Sequence, residues 1–233
     1  MRKFSLLFFV SGLLLLSFQS CQNDDDSNKL LGETDIPLTQ VGGNIGVFVK
    51  MNGQNIDAKS EMKITSNKEG VVTYEGTINT DKLTNQEKQR ILDVVPTILN
   101  IYKPKDATFK PGLNNIDYSF KTKVTSKGFQ HQFANGKTMT IKYDDTEGTE
   151  YKVLLENGEV LSGKVTEKSG KDDFPFGFFN IKTSKVDFVP AVSDPTFKNM
   201  TIRINHKFGL VYLKTEEKNG DIIEFNFFPW HVI

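Results

Sequence analysis

The sequence IDYSFKTKV, from Ile116 to Val124, carries the clearest structural pattern of this chain. Ile116, Tyr118 and Phe120 occupy every second position, and charged or polar residues stand between them. Because successive side chains of a strand point to opposite faces of a sheet, this alternation predicts a strand with one packed face and one face in water. That arrangement is typical of antiparallel sheets.

The same period of two recurs along most of the chain after residue 44. It is clearest in five other segments: 72–78, 139–143, 151–155, 200–204 and 223–227. Asn-Gly pairs at 135–136, 157–158 and 219–220 separate such runs, and both residue types tolerate the positive φ angles of a type I′ hairpin turn. We therefore predict a mostly β fold, an antiparallel meander that forms a sandwich or an open barrel.

One segment follows a helical pattern instead. Thr84 and Glu87 have the spacing of a capping box, and apolar residues then recur at helical intervals from Ile91 to Leu99. Pro96 lacks the amide hydrogen that a helix interior uses. We expect one inserted α-helix near residues 85–95, ending there or continuing past a kink, packed on a sheet face or across an open end.

A single helix inserted into a long antiparallel meander resembles the open half-barrel of lipoprotein carriers of the LolA and LolB type. The resemblance is one of topology alone, with no sequence motif behind it. It implies that the domain is a carrier or sensor of an apolar ligand or lipid.

The N-terminus has the layout of a secretory signal peptide. Arg2 and Lys3 form a short positive region, and residues 4–18 form an uncharged apolar run. A transmembrane helix is the alternative, but it needs ~20 apolar residues, more than this run provides. We expect residues 1–20 to be a signal peptide that is removed.

Cys21 follows directly after Ser20, and Asp24, Asp25 and Asp26 come soon after it. This arrangement resembles a relaxed lipobox and acidic export signal of Bacteroidota surface lipoproteins, although Phe18 stands where the usual pattern has leucine. The resemblance implies that Cys21 carries acyl chains such as palmitate. It also implies that the protein is held in the cell outer membrane and faces the exterior. The alternative for the three aspartates is a solvated acidic linker.

Composition narrows the remaining possibilities. Removal of residues 1–20 from the 233-residue chain leaves 27 basic and 29 acidic residues, and no run of five basic residues occurs. A nucleic-acid partner would require such a basic patch, so we exclude it. Cys21 is the only cysteine, so its acylation leaves no free thiol for disulfides, metal ligation or catalysis. We assign 21–43 to a lipidated N-terminus and flexible tether, and 44–233 to a single β domain.

No catalytic, cofactor or metal set is recognisable. His131, His206 and His231 lack metal-ligand spacing, and no phosphate-binding, dinucleotide-binding or nucleophile-elbow motif occurs. The loop at 143–148 gathers three carboxylates, but their order is not that of an EF-hand, so an ordinary turn is favoured over a calcium site. We predict a protein that is not an enzyme and needs no cofactor.

Two aromatic stretches do not alternate. They hold five candidate residues for an apolar ligand or partner surface: Phe174, Phe176, Phe178, Phe179 and Trp230. The alternative is that these rings fill the core of the β domain.

Three functional hypotheses follow from these patterns. The first is a lipid-anchored envelope protein whose β domain binds an envelope protein or another ligand, or supports a complex. The second is a carrier or sensor of an apolar ligand. The third is a glycan-acting enzyme that uses paired carboxylates.

Overall fold

The structure, a computed structural model, describes residues 29–58, 60–101, 105–155, 158–189 and 197–232. The predicted signal peptide, the lipidation site at Cys21 and the acidic cluster at 24–26 lie outside these residues.

Strands dominate the described residues, as the alternating pattern predicts. Their bounds are β1 Asn44–Met51, β2 Gln54–Asn55, β3 Ser60–Lys68, β4 Val71–Asn79, β5 Thr108–Pro111, β6 Asn115–Thr125, β7 Gly128–Gln132, β8 Thr138–Lys142, β9 Glu150–Leu154, β10 Val160–Lys168, β11 Phe174–Phe176, β12 Phe179–Ile181, β13 Ser184–Val189, β14 Phe197–Asn205, β15 Gly209–Glu217 and β16 Ile222–Pro229. The helix is α1, Asn85–Ile101, and short 3-10 turns occupy Pro37–Thr39 and Trp230–Val232.

The main sheet is an up-and-down meander that curls into a nearly closed barrel. Its strand order is β8-β7-β6-β4-β3-β1-β16-β15-β14-β13-β10-β9. β1 and β16, the first and last strands along the chain, pair along their length, with Val49 opposite Phe225. A seam remains between β8 and β9, which the Asn135 side chain bridges by donating a hydrogen bond to the Leu154 carbonyl at 2.8 Å. The fold is therefore the predicted mostly β fold with one helix, in its barrel form.

Chain reversals alternate between the two ends of this barrel. The tether end, as we name it, carries residues 29–43, the turns at 69–70, 126–127 and 206–208, and the hairpin β11–β12. The helix end carries α1 and the turns at 52–53, 133–137 and 218–221.

Two of the Asn-Gly turns differ from the predicted geometry. At 135–136 and 219–220 only the glycine has a positive φ, and its amide donates to the carbonyl three residues earlier. These are longer loops in which a turn is followed by a left-handed glycine, as in a G1 bulge, so the type I′ prediction is wrong there. The asparagine side chains explain the choice, since Asn135 Oδ1 accepts a hydrogen bond from the Lys137 amide at 3.0 Å. At 157–158, Asn157 lies outside the described residues.

The helix begins where the capping box predicts. Glu87 accepts hydrogen bonds from the Thr84 amide at 2.9 Å and from its hydroxyl at 2.7 Å, and the Thr84 hydroxyl accepts from the Glu87 amide at 3.2 Å. α1 continues past Pro96 to Ile101, the longer of the two predicted alternatives. Ile91 is buried in the same cluster as Ile78 and Ile116, so α1 covers the helix end of the barrel.

Residues 29–43, the second part of the predicted tether, lie against the tether end. Leu30 is only 2% exposed, and the Leu31 carbonyl accepts a hydrogen bond from Thr125 Oγ1 at 2.7 Å. Leu38 is buried and belongs to the interior cluster, beside Gly209. The segment that is free to act as a tether is therefore shorter than 21–43.

Candidate functional site

The barrel encloses a cavity of about 290 Å³. The inward faces of its strands form two buried apolar clusters, one centred on β1, β3, β4, β6 and β16 and the other on β8–β10, β13 and β14. Leu213 and Phe129 pack against both clusters, and the cavity lies between them. Alternation places apolar side chains on this face, but twelve strands enclose more space than those side chains fill.

Aromatic rings form one wall of the cavity. Tyr74 and Phe120 stack with ring centroids 5.1 Å apart, and both line the cavity. Gly76 makes room for a third ring, since a Cβ at this position would lie 2.4 Å from Cζ of Tyr118. Tyr118 and Phe120 are only partly buried and leave part of their rings uncovered toward the cavity.

A tyrosine hydroxyl inside the barrel lacks a partner. Oη of Tyr143 is buried and has no hydrogen-bond partner among the residues that the structure describes. Burial raises the pKa of Tyr143, and burial followed by the nearby Tyr143 raises the pKa of Tyr74. Both phenols therefore stay protonated near neutral pH. The cavity thus has apolar walls, and the Tyr143 hydroxyl is a neutral donor buried beside it.

The histidines are not brought together. His131 lines the cavity with its ring against Phe133 at 4.8 Å, His206 is exposed in the turn between β14 and β15, and His231 contacts the Asn44 carbonyl through Nδ1 at 3.1 Å. Within the described ranges, no group of three or more histidine, cysteine or acidic side chains is arranged to hold a metal ion.

The carboxylates of the 143–148 loop support the connection between β8 and β9. Asp145 Oδ2 accepts hydrogen bonds from the Lys142 amide at 2.9 Å and from the Tyr151 hydroxyl at 2.8 Å. Glu147 accepts one from the Lys168 amide at 2.9 Å. These contacts hold the loop at the barrel seam.

The five candidate aromatic residues lie on the outer face of the barrel. Some of them are packed, as predicted for core residues, and others are exposed, as predicted for a ligand or partner surface. Phe176 is buried, and Phe174 packs edge-on against Tyr212 with ring centroids 5.8 Å apart. Phe178 is 97% exposed at the tip of the β11–β12 hairpin, and Phe179 and Trp230 are also exposed. We define the outer aromatic cluster as Phe178 at the hairpin tip together with six rings linked by mutual contacts: Phe48, Phe176, Phe179, Phe208, Phe228 and Trp230. Of these, Phe208 also lines the cavity.

Sequence reasoning did not identify the cavity, although one signal was present. Thr122 interrupts the apolar series on the inner face of β6, and His131 interrupts it between Phe129 and Phe133. Polar residues on an inward face indicate that the face is not fully packed. The alternation alone does not reveal this, because a filled barrel and an open one share the same pattern.

No protein-family model matches the chain, and no curated protein sequence matches it. Among solved structures, the chain is similar to a hypothetical protein from Chlamydia trachomatis, with 12% sequence identity and a TM-score of 0.33. The alignment covers 84% of this chain and 91% of that one. Across the described residues, no helix has the length and apolar character needed to cross a membrane. A functional assignment therefore rests on the barrel and on the N-terminal sequence.

Proposed function

We propose that this protein is a lipid-anchored lipoprotein of the cell envelope whose barrel binds an apolar ligand in its interior. The observation that carries the proposal is the apolar cavity of about 290 Å³ between the two core clusters. A site of this kind, with few polar groups among apolar and aromatic side chains, is typical of small-molecule binding. The protein acts as a carrier or sensor and not as an enzyme.

The size of the cavity limits the ligand. A dry apolar cavity of about 150 Å³ is enough to bind benzene. The cavity here has about twice that volume, which suits a ligand portion the size of two small rings or a short acyl segment. A longer amphiphile would leave part of its chain or its head group outside.

Tyr143 indicates which functional group the ligand carries. Its hydroxyl is a buried donor without a partner among the described residues, and a carbonyl or ester oxygen would satisfy it. A neutral acceptor suits the site better than a carboxylate, since burying a charge in apolar surroundings carries a large desolvation penalty. We expect an amphiphile whose apolar part fills the cavity and whose carbonyl lies at Tyr143.

The test is the binding of a fluorescent apolar dye, with competition by a fatty-acid ester. Leu213 lines the cavity and borders both core clusters, so Leu213→Trp places an indole ring in the cavity. Val189 is 66% exposed, so Val189→Trp adds the same ring away from the cavity and serves as the control. We expect wild type and the control to bind the dye and Leu213→Trp to lose most of this binding. Equal binding by all three proteins would contradict the proposal.

The anchor is tested separately. Cys21→Ala should abolish acyl labelling and release the protein from membranes, whereas a labelled or membrane-retained variant would contradict lipidation at this residue. Replacing Asp24, Asp25 and Asp26 by alanine should preserve labelling and reduce surface exposure. If protease added to intact cells digests this variant as fast as wild type, the acidic cluster is only a linker.

A further inference from the structure

The exposed aromatic side chains of the barrel are gathered in one place. Within the described ranges, every exposed phenylalanine or tryptophan belongs to the outer aromatic cluster: Phe48, Phe178, Phe179 and Trp230. The exposed large apolar residues nearest the helix end are aliphatic, as at Leu113 and Leu154. The cluster is thus a specific patch and differs from the scattered apolar exposure of any protein surface.

The hairpin β11–β12 holds Phe178 in place. Phe176, the last residue of β11, packs against the barrel. Its ring centroid lies 4.7 Å from that of Phe228 and 4.9 Å from that of Phe208. Gly177 has a φ of +60° and lies so close to Phe228 that a Cβ would come within 2.5 Å of the ring. The packed base therefore carries the exposed ring of Phe178 at the tip of the hairpin.

The cluster lies at the tether end of the barrel, where the chain leaves toward its N-terminus. The hairpin follows the tether end of β10, and Trp230 follows the tether end of β16. Lys29, the first described residue, lies at the same end. Lys29 is eight positions after Cys21, so the backbone of Cys21 lies at most about 29 Å from Lys29.

We propose that the outer aromatic cluster docks on the surface of the lipid bilayer that holds the acyl anchor. This inference rests on the anchor half of the proposed function, and it does not depend on the cavity. Phenylalanine and tryptophan are favoured at membrane interfaces, where apolar rings enter the boundary region and the indole N–H stays near water. The docked orientation would turn the helix end away from the membrane.

Exposed lysines flank the cluster and suit the same partner. Lys207 places its Nζ 4.9 Å from the centre of the Phe208 ring, and Lys182 follows directly after β12. Their ammonium groups would lie at the level of lipid phosphates while the rings enter the apolar boundary. Because the chain without residues 1–20 carries a formal net charge of −2, the aromatic rings supply most of the attraction.

The test uses a chain that begins at residue 22, which keeps every described strand, helix and hydrogen bond but lacks the acyl group. This protein is mixed with phosphatidylcholine vesicles, and Trp230, the single tryptophan, reports insertion by a blue shift and by quenching from brominated lipid. We compare Phe178→Ser with Leu113→Ser, which removes a residue that is 84% exposed at the opposite end.

We expect vesicle binding that survives high salt, a loss of about tenfold in Phe178→Ser, and no change in Leu113→Ser. A Trp230 spectrum that is unaffected by vesicles would overturn the inference, and so would an equal loss in both variants. A spectral shift that depends on protein concentration without vesicles would identify a second copy of the chain as the partner instead. None of these results alters acyl labelling at Cys21 or dye binding in the cavity, so the proposals fail separately.

Discussion

Replacing Tyr143 by phenylalanine removes one buried oxygen and leaves the ring that lines the cavity. Within the described residues this hydroxyl has no hydrogen-bond partner. A buried polar group without a partner costs about 1–3 kcal/mol. We therefore expect Tyr143→Phe to raise the free energy of unfolding by about 1–2 kcal/mol, which corresponds to a melting temperature higher by roughly 2–8 °C.

Tyr151 provides the matched control. Its hydroxyl donates to Asp145 Oδ2 at 2.8 Å, so Tyr151→Phe breaks a hydrogen bond to a charged group. We expect this change to lower the free energy of unfolding by about 1.5–3 kcal/mol. The two substitutions are chemically identical, and the structure predicts opposite signs. Urea unfolding of both variants measures the difference, and a Tyr143→Phe variant that is destabilised as much as Tyr151→Phe would refute the reasoning.

Ligand binding supplies the second half of this prediction. A ligand that carries a carbonyl should bind Tyr143→Phe about tenfold more weakly than wild type, because one hydrogen bond of roughly 1–1.5 kcal/mol is lost. A hydrocarbon of the same length should bind both proteins equally. Calorimetric titration with the two ligands distinguishes recognition of the carbonyl from filling of the cavity.

Other predictions test the elements around the cavity. Thr84→Ala should lower the free energy of unfolding by about 1 kcal/mol through loss of the cap, measured by urea unfolding, whereas Thr77→Ala on exposed β4 surface should have a smaller effect. Gly76→Ala should destabilise the protein by about 1–3 kcal/mol and weaken dye binding, because the added Cβ displaces Tyr118. Burial raises the pKa values of Tyr118 and Tyr143 in the folded protein, so these phenols ionise at lower pH in the unfolded chain. The free energy of unfolding should therefore fall above about pH 10. A thermal-melting series across alkaline pH measures this loss, and Tyr143→Phe should reduce its slope.

Local signals predict the elements of this fold well. The alternation from Ile116 to Phe120 corresponds to β6, and the capping box at Thr84 directly precedes Asn85, the first residue of α1. Both signals depend on interactions between residues close in sequence. The sequence does not fix the end of the helix, because a proline removes one backbone donor without deciding whether the chain continues as a helix.

Closure of the barrel is not readable from local patterns. Val49 lies opposite Phe225, and no spacing between such distant residues indicates that they pair. The position of the seam between β8 and β9 likewise depends on how many strands the curled sheet contains. The sequence therefore does not distinguish a sandwich from a barrel, whereas the strand order does.

The two candidate sites illustrate different limits. The sequence identified Phe178 and Trp230 as unusual, yet it could not separate the exposed Phe178 from the buried Phe176 two residues earlier, because a hairpin tip and its base share one composition. The cavity exists because the inward side chains leave part of the barrel interior unfilled, and the sequence pattern does not show this unfilled volume. Tyr143 was visible only as one more member of an alternating series, and its missing partner is a property of the assembled barrel.

Native mass spectrometry measures whether the barrel holds an apolar ligand. The protein is expressed without residues 1–21 in the presence of cell-envelope lipids, purified, and compared with Leu213→Trp under identical conditions. If the cavity binds a ligand, wild type should carry an apolar molecule at a one-to-one ratio and Leu213→Trp should be empty. A wild-type protein that stays empty in the presence of such lipids, or a molecule retained equally by Leu213→Trp, would contradict it.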